Sequence, residues 1–190
     1  MTWIRIVEPA EADEKLASIY ARAVGGAQVD QILLAHSLRP HTLEGHMALY
    51  RAVLHHSGNS VSQAFAEAIG VLVSRANGCE YCVEHHLTGM RRALADPERA
   101  EAWMRVLEDG PRAEVFDTRQ RAALAYAEQL ARAPADVEES DVTVLRKSGW
   151  SDGEILEINQ ITAYFSYANR TVLGLGVTTK GENLGEHPIQ

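Results

Sequence analysis

The stretch RANGCEYCVEHH, residues 75–86, holds both cysteines of the chain and two of its eight histidines. Asn77-Gly78 reads as a break, so a new helix starts at the cysteines and runs to about residue 94. At 100° per residue, with Cys79 at the origin, Cys82 falls near about −60° and His86 near about −20°. The three side chains share one narrow face. His85 falls near about −120°, beside Cys82 but away from Cys79. Spacings of three and four bring helix side chains into contact. His86 is thus the better partner for the sulfur pair, with His85 still open.

Gly78 puts the cysteines in the first turn of that helix. There the free backbone N–H groups and the positive dipole end stabilise a thiolate. A Cys-x-x-Cys pair so placed has a thiol pKa lowered from about 8.5 to about 7 or below. The thiolate is the reactive form. The stretch therefore supplies a nucleophile, a second thiol to capture the product and an imidazole to move protons.

Working backwards, Ser60 to Gln63 fits a capping box that begins the helix VSQAFAEAIGVLVSRAN. If this helix, the turn and the next helix form an antiparallel hairpin, heights can be compared. Glu67 lies roughly 15 Å before the turn and His86 roughly 12 Å after it, at about 1.5 Å per residue. A Glu67–His86–cysteine proton relay is geometrically open. Further out, Glu8-Pro9 opens a helix that Gly25-Gly26 ends. Helical stretches follow over 28–37, from Pro40 to Gly58, from Pro97 to Glu108, from Asp117 to before Pro134, and up to Gly149. Ser151 to Glu154 is a second capping box, opening the long helix that contains Asn169. Residues 3–7, WIRIV, read as a short extended lead-in, and 174–190 as a Gly-containing surface arm. No strand-helix alternation supports a doubly wound sheet. The expected fold is all-α, a single-domain helical bundle over 1–190 with its core motif in the helix-turn-helix hairpin of 60–94.

At 190 residues, 46% hydrophobic and 23% charged, the composition is that of an ordinary globular protein. The net charge is −8, without a basic run, which argues against nucleic acid as a partner. The start, MTWIRIVEPAEADEKL, has no basic region followed by an apolar core, so no signal peptide is expected. No segment approaches the roughly 18 apolar residues of a membrane span, so no membrane partner is expected. The expected location is cytoplasmic. Two cysteines cannot form a secreted disulfide framework. In a reducing compartment a lone Cys-x-x-Cys points to redox or metal chemistry.

Glu67, Cys79, Cys82 and His86 follow the spacing Glu, eleven residues, Cys-x-x-Cys, three residues, His. This resembles the core of the alkylhydroperoxidase D-like family within the carboxymuconolactone decarboxylase superfamily. The stretch GWSDGEILEINQITAYFSYANRTVLGLGV resembles its peroxidase-related subgroup. The resemblance implies an all-helical homo-oligomer that reduces hydroperoxides at the expense of a thiol or dithiol reductant, as an antioxidant enzyme without a cofactor. It further implies that Cys82 attacks the peroxide and becomes a sulfenic acid, with which Cys79 condenses to a disulfide. His86 and Glu67 match the proton-relay positions. One position departs from the pattern. Some members carry a histidine just before the second cysteine, where this chain has Tyr81. A phenol does not titrate near pH 7. Either His85 compensates or the activity is weak.

Other readings stand beside this one. The cysteines could be small buried residues at a helix start. With His86 and Glu67 they could ligate Zn²⁺ in a metal-binding or structural oligomer. A disulfide oxidoreductase and a decarboxylase-like enzyme without peroxidase activity also remain. His46 and Tyr50, four apart, could line a pocket, although core and surface roles suit them better. Asn169-Arg170, after Tyr164, Phe165 and Tyr167, is expected to close a helix and pack at an interface rather than take part in catalysis.

Overall fold

Nine α-helices among the described residues are built on the starts and stops that the sequence signals, and no strand occurs there. The computed structural model describes residues 2–25, 27–108 and 115–184. Helix α1 is Glu14–Val24, capped by the Asp13 side chain on the Leu16 N–H and ended by Gly25. Gly26, expected to share that stop, lies outside the described residues, as do 185–190 of the expected arm. Short α2 is Gln31–Ala35 and α3 is Pro40–Tyr50, continued by a π turn over Arg51–His55. Then come α4, Gln63–Ala76, α5, Glu80–Leu94, and α6, Pro97–Glu108. Helices α7, Thr118–Arg132, α8, Glu139–Lys147, and α9, Asp152–Leu175, complete the chain.

Several boundaries differ from the sequence reading. Glu8-Pro9 opens a single 3₁₀ turn, Pro9–Glu11, because Asp13 supplies the stronger cap just downstream. The stretch 28–37 holds only the five residues of α2 as helix, followed by turns. WIRIV forms no strand. The capping box at Ser60–Gln63 does not form. Ser62 is the cap position of α4, without a side-chain bond, and the Ser60 and Val61 N–H groups donate instead to the Glu157 carboxylate of α9. A carboxylate accepting backbone N–H bonds is a stronger acceptor than a hydroxyl, so a tertiary contact replaces the local one. The box at Ser151–Glu154 does form, as does an Asp117–Gln120 box at α7.

Helix α4 is the centre of the bundle. All ten residues from Phe65 to Ser74 are buried, which is how a helix surrounded on every side reads. Phe65, Ile69, Val71 and Val73 join residues of α6, α7 and α9 in the main core. Truncating one such side chain to Ala costs about 2–5 kcal/mol. A second apolar cluster ties α1, α2 and α3 together through Leu16, Ile19, Leu33 and Leu43. A third one lies between α2, the start of α5 and the end of α9. It holds Ala35, Cys79, Tyr81, Cys82, Val172 and Val177. The cysteines thus sit at a seam where three elements meet. No helix among the described residues is long and apolar enough to cross a membrane.

Candidate active site

The turn between α4 and α5 sets the positions of both sulfurs. Gly78 adopts φ 71°, a left-handed conformation that a side chain disfavours. The Cys79 N–H then donates back to the Ser74 carbonyl at 2.8 Å, and the Val83 N–H donates to the Cys79 carbonyl at 3.0 Å. Cys79 is therefore the cap residue of α5, and Cys82 lies in its first turn. Their Sγ atoms are 3.1 Å apart, both are free thiols, and they are 0% and 3% exposed.

The two thiols share one hydrogen bond, so ionising one sulfur makes the other its donor. For Cys79 that bond from Cys82 outweighs burial and lowers the pKa. For Cys82 the same bond to Cys79, reinforced by burial, raises it. One proton leaves the pair readily and the second is held. The Asn169 amide favours the ionised form of both sulfurs. Asn169 is fully buried on α9. Its Nδ2 donates to Ser74 Oγ at 3.0 Å, and its Oδ1 accepts from Asn77 Nδ2 at 2.9 Å. It thus ties α9 to the turn that carries Cys79. The sequence reading assigned Asn169 to packing; a polar amide on the buried face of an apolar helix is the signal that marks it.

Glu67 and His86 come together. His86 Nδ1 lies 2.6 Å from Glu67 Oε2, with Glu67 only 2% exposed. The His86 ring stands edge-on to Phe165 at 4.4 Å between centroids. Gly89, one turn after His86, leaves room for the carboxylate. A Cβ placed there would fall 2.7 Å from Glu67 Oε1. Since Nδ1 is committed to Glu67, proton exchange with a bound molecule falls to Nε2.

A cavity of about 370 Å³ is lined by Cys82, Glu67, His86, Tyr50, His46 and Tyr164, among others, and not by Cys79. Burial first, then the nearby Glu67 charge, keeps the Tyr50 phenol protonated. Burial likewise pushes Tyr164 up. His46 is 4% exposed, and its pKa is lowered to about 3, by burial and then by neighbouring His36, so it is a neutral imidazole.

Tyr81 and His85 also line the cavity, but their polar atoms turn to Glu182. Tyr81 Oη donates to Glu182 Oε1 at 2.9 Å, and His85 Nε2 lies 2.7 Å from Glu182 Oε2. The Gln31 N–H also donates to that carboxylate. The arm after α9 is mostly exposed from 178 to 184, yet this one side chain reaches inward and engages the Tyr81 hydroxyl and His85 Nε2. Among the described residues, the ligand-type atoms that gather within 4.8 Å of one another belong to Asp30, His85 and Glu182. The set Cys79, Cys82, His86 and Glu67 does not assemble as a four-ligand zinc site.

Comparison with known proteins agrees with this architecture. Residues 40–129 match the carboxymuconolactone decarboxylase family, a span that contains all four residues of the motif. A search of the curated proteins finds no match. An uncharacterized peroxidase-related protein from Ralstonia eutropha JMP134, with an alkylhydroperoxidase AhpD core, is 26% identical, with a TM-score of 0.79 over 93% of this chain and 91% of that one. A peroxidase-related protein from Silicibacter sp. TM1040 is 28% identical, with a TM-score of 0.76 over the same shares, 93% and 91%. The debrominase Bmp8, solved with 2,3,4-tribromopyrrole, shares the fold at 18% identity, with a TM-score of 0.72 over 94% and 93% of the two chains. The match over 40–129 and the helical architecture shared with the peroxidase-related proteins make the chain similar to the carboxymuconolactone decarboxylase family.

Proposed function

We propose that the protein is a thiol-dependent peroxidase that reduces hydroperoxides in antioxidant defence and is recycled by a thiol or dithiol reductant. One observation carries this reading: two thiols at 3.1 Å, one facing a cavity whose wall also holds a carboxylate-bound imidazole. In this reading the hairpin of 60–94 levels Glu67 with His86. The Cys82 thiolate attacks the terminal oxygen of ROOH. An S–O bond forms, the O–O bond breaks, and the leaving RO⁻ takes a proton from His86 to give ROH. Cys82 is then a sulfenic acid. The Cys79 sulfur attacks Cys82 Sγ, the S–S bond forms, and the hydroxyl leaves as water with a proton. An external dithiol returns both thiols to the reduced state by exchange.

Access supports Cys82 as the nucleophile. Cys79 is the more easily ionised sulfur but is sealed from the cavity, whereas Cys82 lines it. The shared proton reconciles the two: its shift from Cys82 to Cys79 presents the thiolate where substrate can reach it. A homo-oligomeric state belongs to the same reading, and exposed Trp3, Leu156, Tyr167 and Leu173 supply apolar surface for it. The test is consumption of cumene hydroperoxide with dithiothreitol as reductant. Cys82→Ser should abolish turnover. Full activity in that variant would remove Cys82 as nucleophile.

A further inference from the structure

Three segments far apart in sequence bring ligand-type atoms to one point beside the cavity. Asp30 comes from the loop before α2, His85 from α5 and Glu182 from the arm after α9. One oxygen of each carboxylate and one imidazole nitrogen lie within 4.8 Å of one another. His85 Nε2 and Glu182 Oε2 are 2.7 Å apart. At bond lengths of about 2.0–2.2 Å, atoms that ligate one cation stand roughly 3–4.4 Å from each other. The spacings here bracket that range, so small side-chain rotations complete a shell.

Exposed acidic side chains often gather without an ion, but these are not exposed. The Glu182 side chain is 0% exposed and that of His85 14%. The surroundings hold the donors in place. Glu182 Oε1 accepts from the Tyr81 hydroxyl at 2.9 Å and from the Gln31 N–H, with Oε2 turned to His85. The Tyr81 ring packs on the imidazole at 4.5 Å between centroids. Gln28 grips the arm on both sides of Glu182. Its Nε2 donates to the Gly181 carbonyl at 2.9 Å, and its Oε1 accepts from the Asn183 N–H at 3.1 Å. Outer contacts of this kind orient the ligands of metal sites. Asp30 stands at the cap position of α2, yet its side chain makes no cap bond to that helix. Asp30 and His85 both line the cavity, so an ion reaches them through it.

The set is two carboxylates and one imidazole, without sulfur. Thiolates select zinc and copper(I), while oxygen donors suit manganese, magnesium and calcium. Magnesium and calcium take oxygen ligands, so the imidazole favours a first-row ion over them.

We propose that Asp30, His85 and Glu182 form a binding site for a divalent first-row cation of the Mn²⁺ kind, which pins the C-terminal arm to α2 and α5 beside the thiol cavity. The ion takes the place of the proton held between His85 and Glu182, which is released on binding. Its role is to fix the arm, and no step of the thiol chemistry passes through it. The site stands independently of the peroxidase reading.

The experiment is a Mn²⁺ titration of the reduced, chelator-stripped protein followed by EPR, in which the free aqueous ion gives the signal and the bound ion loses it. Mn²⁺ is the probe because it has little preference for the thiolates of Cys79 and Cys82. The wild type should bind one ion per chain, and Mn²⁺ should raise its Tm. Asp30→Asn, His85→Gln and Glu182→Gln should each weaken binding by at least about tenfold. Glu182→Gln should also abolish the rise in Tm, whereas Cys82→Ser should bind like the wild type. Far-UV circular dichroism checks each variant, and Glu182→Gln, placed on the arm, supplies the comparison if the other two fail to fold. No binding to the wild type at about 1 mM Mn²⁺ overturns the proposal and leaves His85 and Glu182 a plain ion pair. So does binding that survives all three substitutions, or that is lost in Cys82→Ser, since either result puts the ion elsewhere.

Discussion

Glu67 Oε2 lies 2.6 Å from His86 Nδ1, across the seam between α4 and α5. Glu67 is 2% exposed, and the imidazole gives the buried carboxylate a close partner. The pair fixes one ring nitrogen of His86 and leaves the other for chemistry at the cavity. It also explains why a glycine stands at 89. A methyl group there would press on the carboxylate.

Replacing Glu67 by Gln keeps the shape and removes the carboxylate that His86 Nδ1 meets. Peroxide reduction should fall by roughly 10²-fold, the low end of general acid–base contributions. The decisive readout is the split between kcat and KM: kcat should fall, with KM and Tm near the wild-type values. An unaltered kcat with a lowered Tm would make Glu67 a purely structural residue.

Gly89→Ala separates helix propensity from the site. In a helix interior the change favours folding by about 0.5–1 kcal/mol. Here the added Cβ meets Glu67 at 2.7 Å and must displace it. Activity should drop at least about tenfold, since small misplacements of catalytic groups are costly. Steady-state kinetics decide the matter. Wild-type rates in this variant would show that the carboxylate position is immaterial.

The pair should lose its first proton at a pH below the ordinary thiol range, and iodoacetamide should then label Cys82, the sulfur that lines the cavity, while sealed Cys79 resists. The hydrogen bond that lowers Cys79 raises Cys82. Asn169→Ala removes an amide that favours the thiolate, so the midpoint of the alkylation–pH curve should move upward. Intact-mass measurement across a pH series reads both effects. An unmoved midpoint would leave Asn169 as a tie between α9 and the turn and nothing more.

Acid stability should carry the mark of His46. In the folded protein its pKa is lowered to about 3, against 6.5 for a free side chain. Below pH 6.5 the unfolded chain takes up a proton that the folded chain refuses, so stability falls with pH until the folded group protonates near 3. The loss amounts to about 2 kcal/mol between pH 7.5 and pH 5. His55, also lowered by burial, acts in the same direction. Urea unfolding at the two pH values should show a shallower pH dependence in His46→Leu. An equal dependence would contradict the buried neutral state.

Much of this was legible in the sequence, for a physical reason. Helical spacing, the Asn77-Gly78 break and the Pro and Asp starts are local signals, and local structure follows them. The meeting of Glu67 with His86 was legible because two helices joined by a short turn convert sequence distance into spatial level. Contacts across the fold were not legible. Glu157 replaces the box at Ser60, Asn169 reaches the sulfurs from 87 residues beyond Cys82, and Glu182 engages Tyr81 and His85 from the arm. The sequence distances involved carry no periodic signal. His46 and Tyr50 were read chiefly as core or surface residues, because four-residue spacing cannot tell a cavity wall from a packed interior.

The most direct measurement is a thiol titration of the reduced protein before and after one equivalent of cumene hydroperoxide per chain. Redox chemistry between neighbouring sulfurs predicts two free thiols before, none after, and recovery of both with dithiothreitol. Two thiols still free after exposure to peroxide would contradict it.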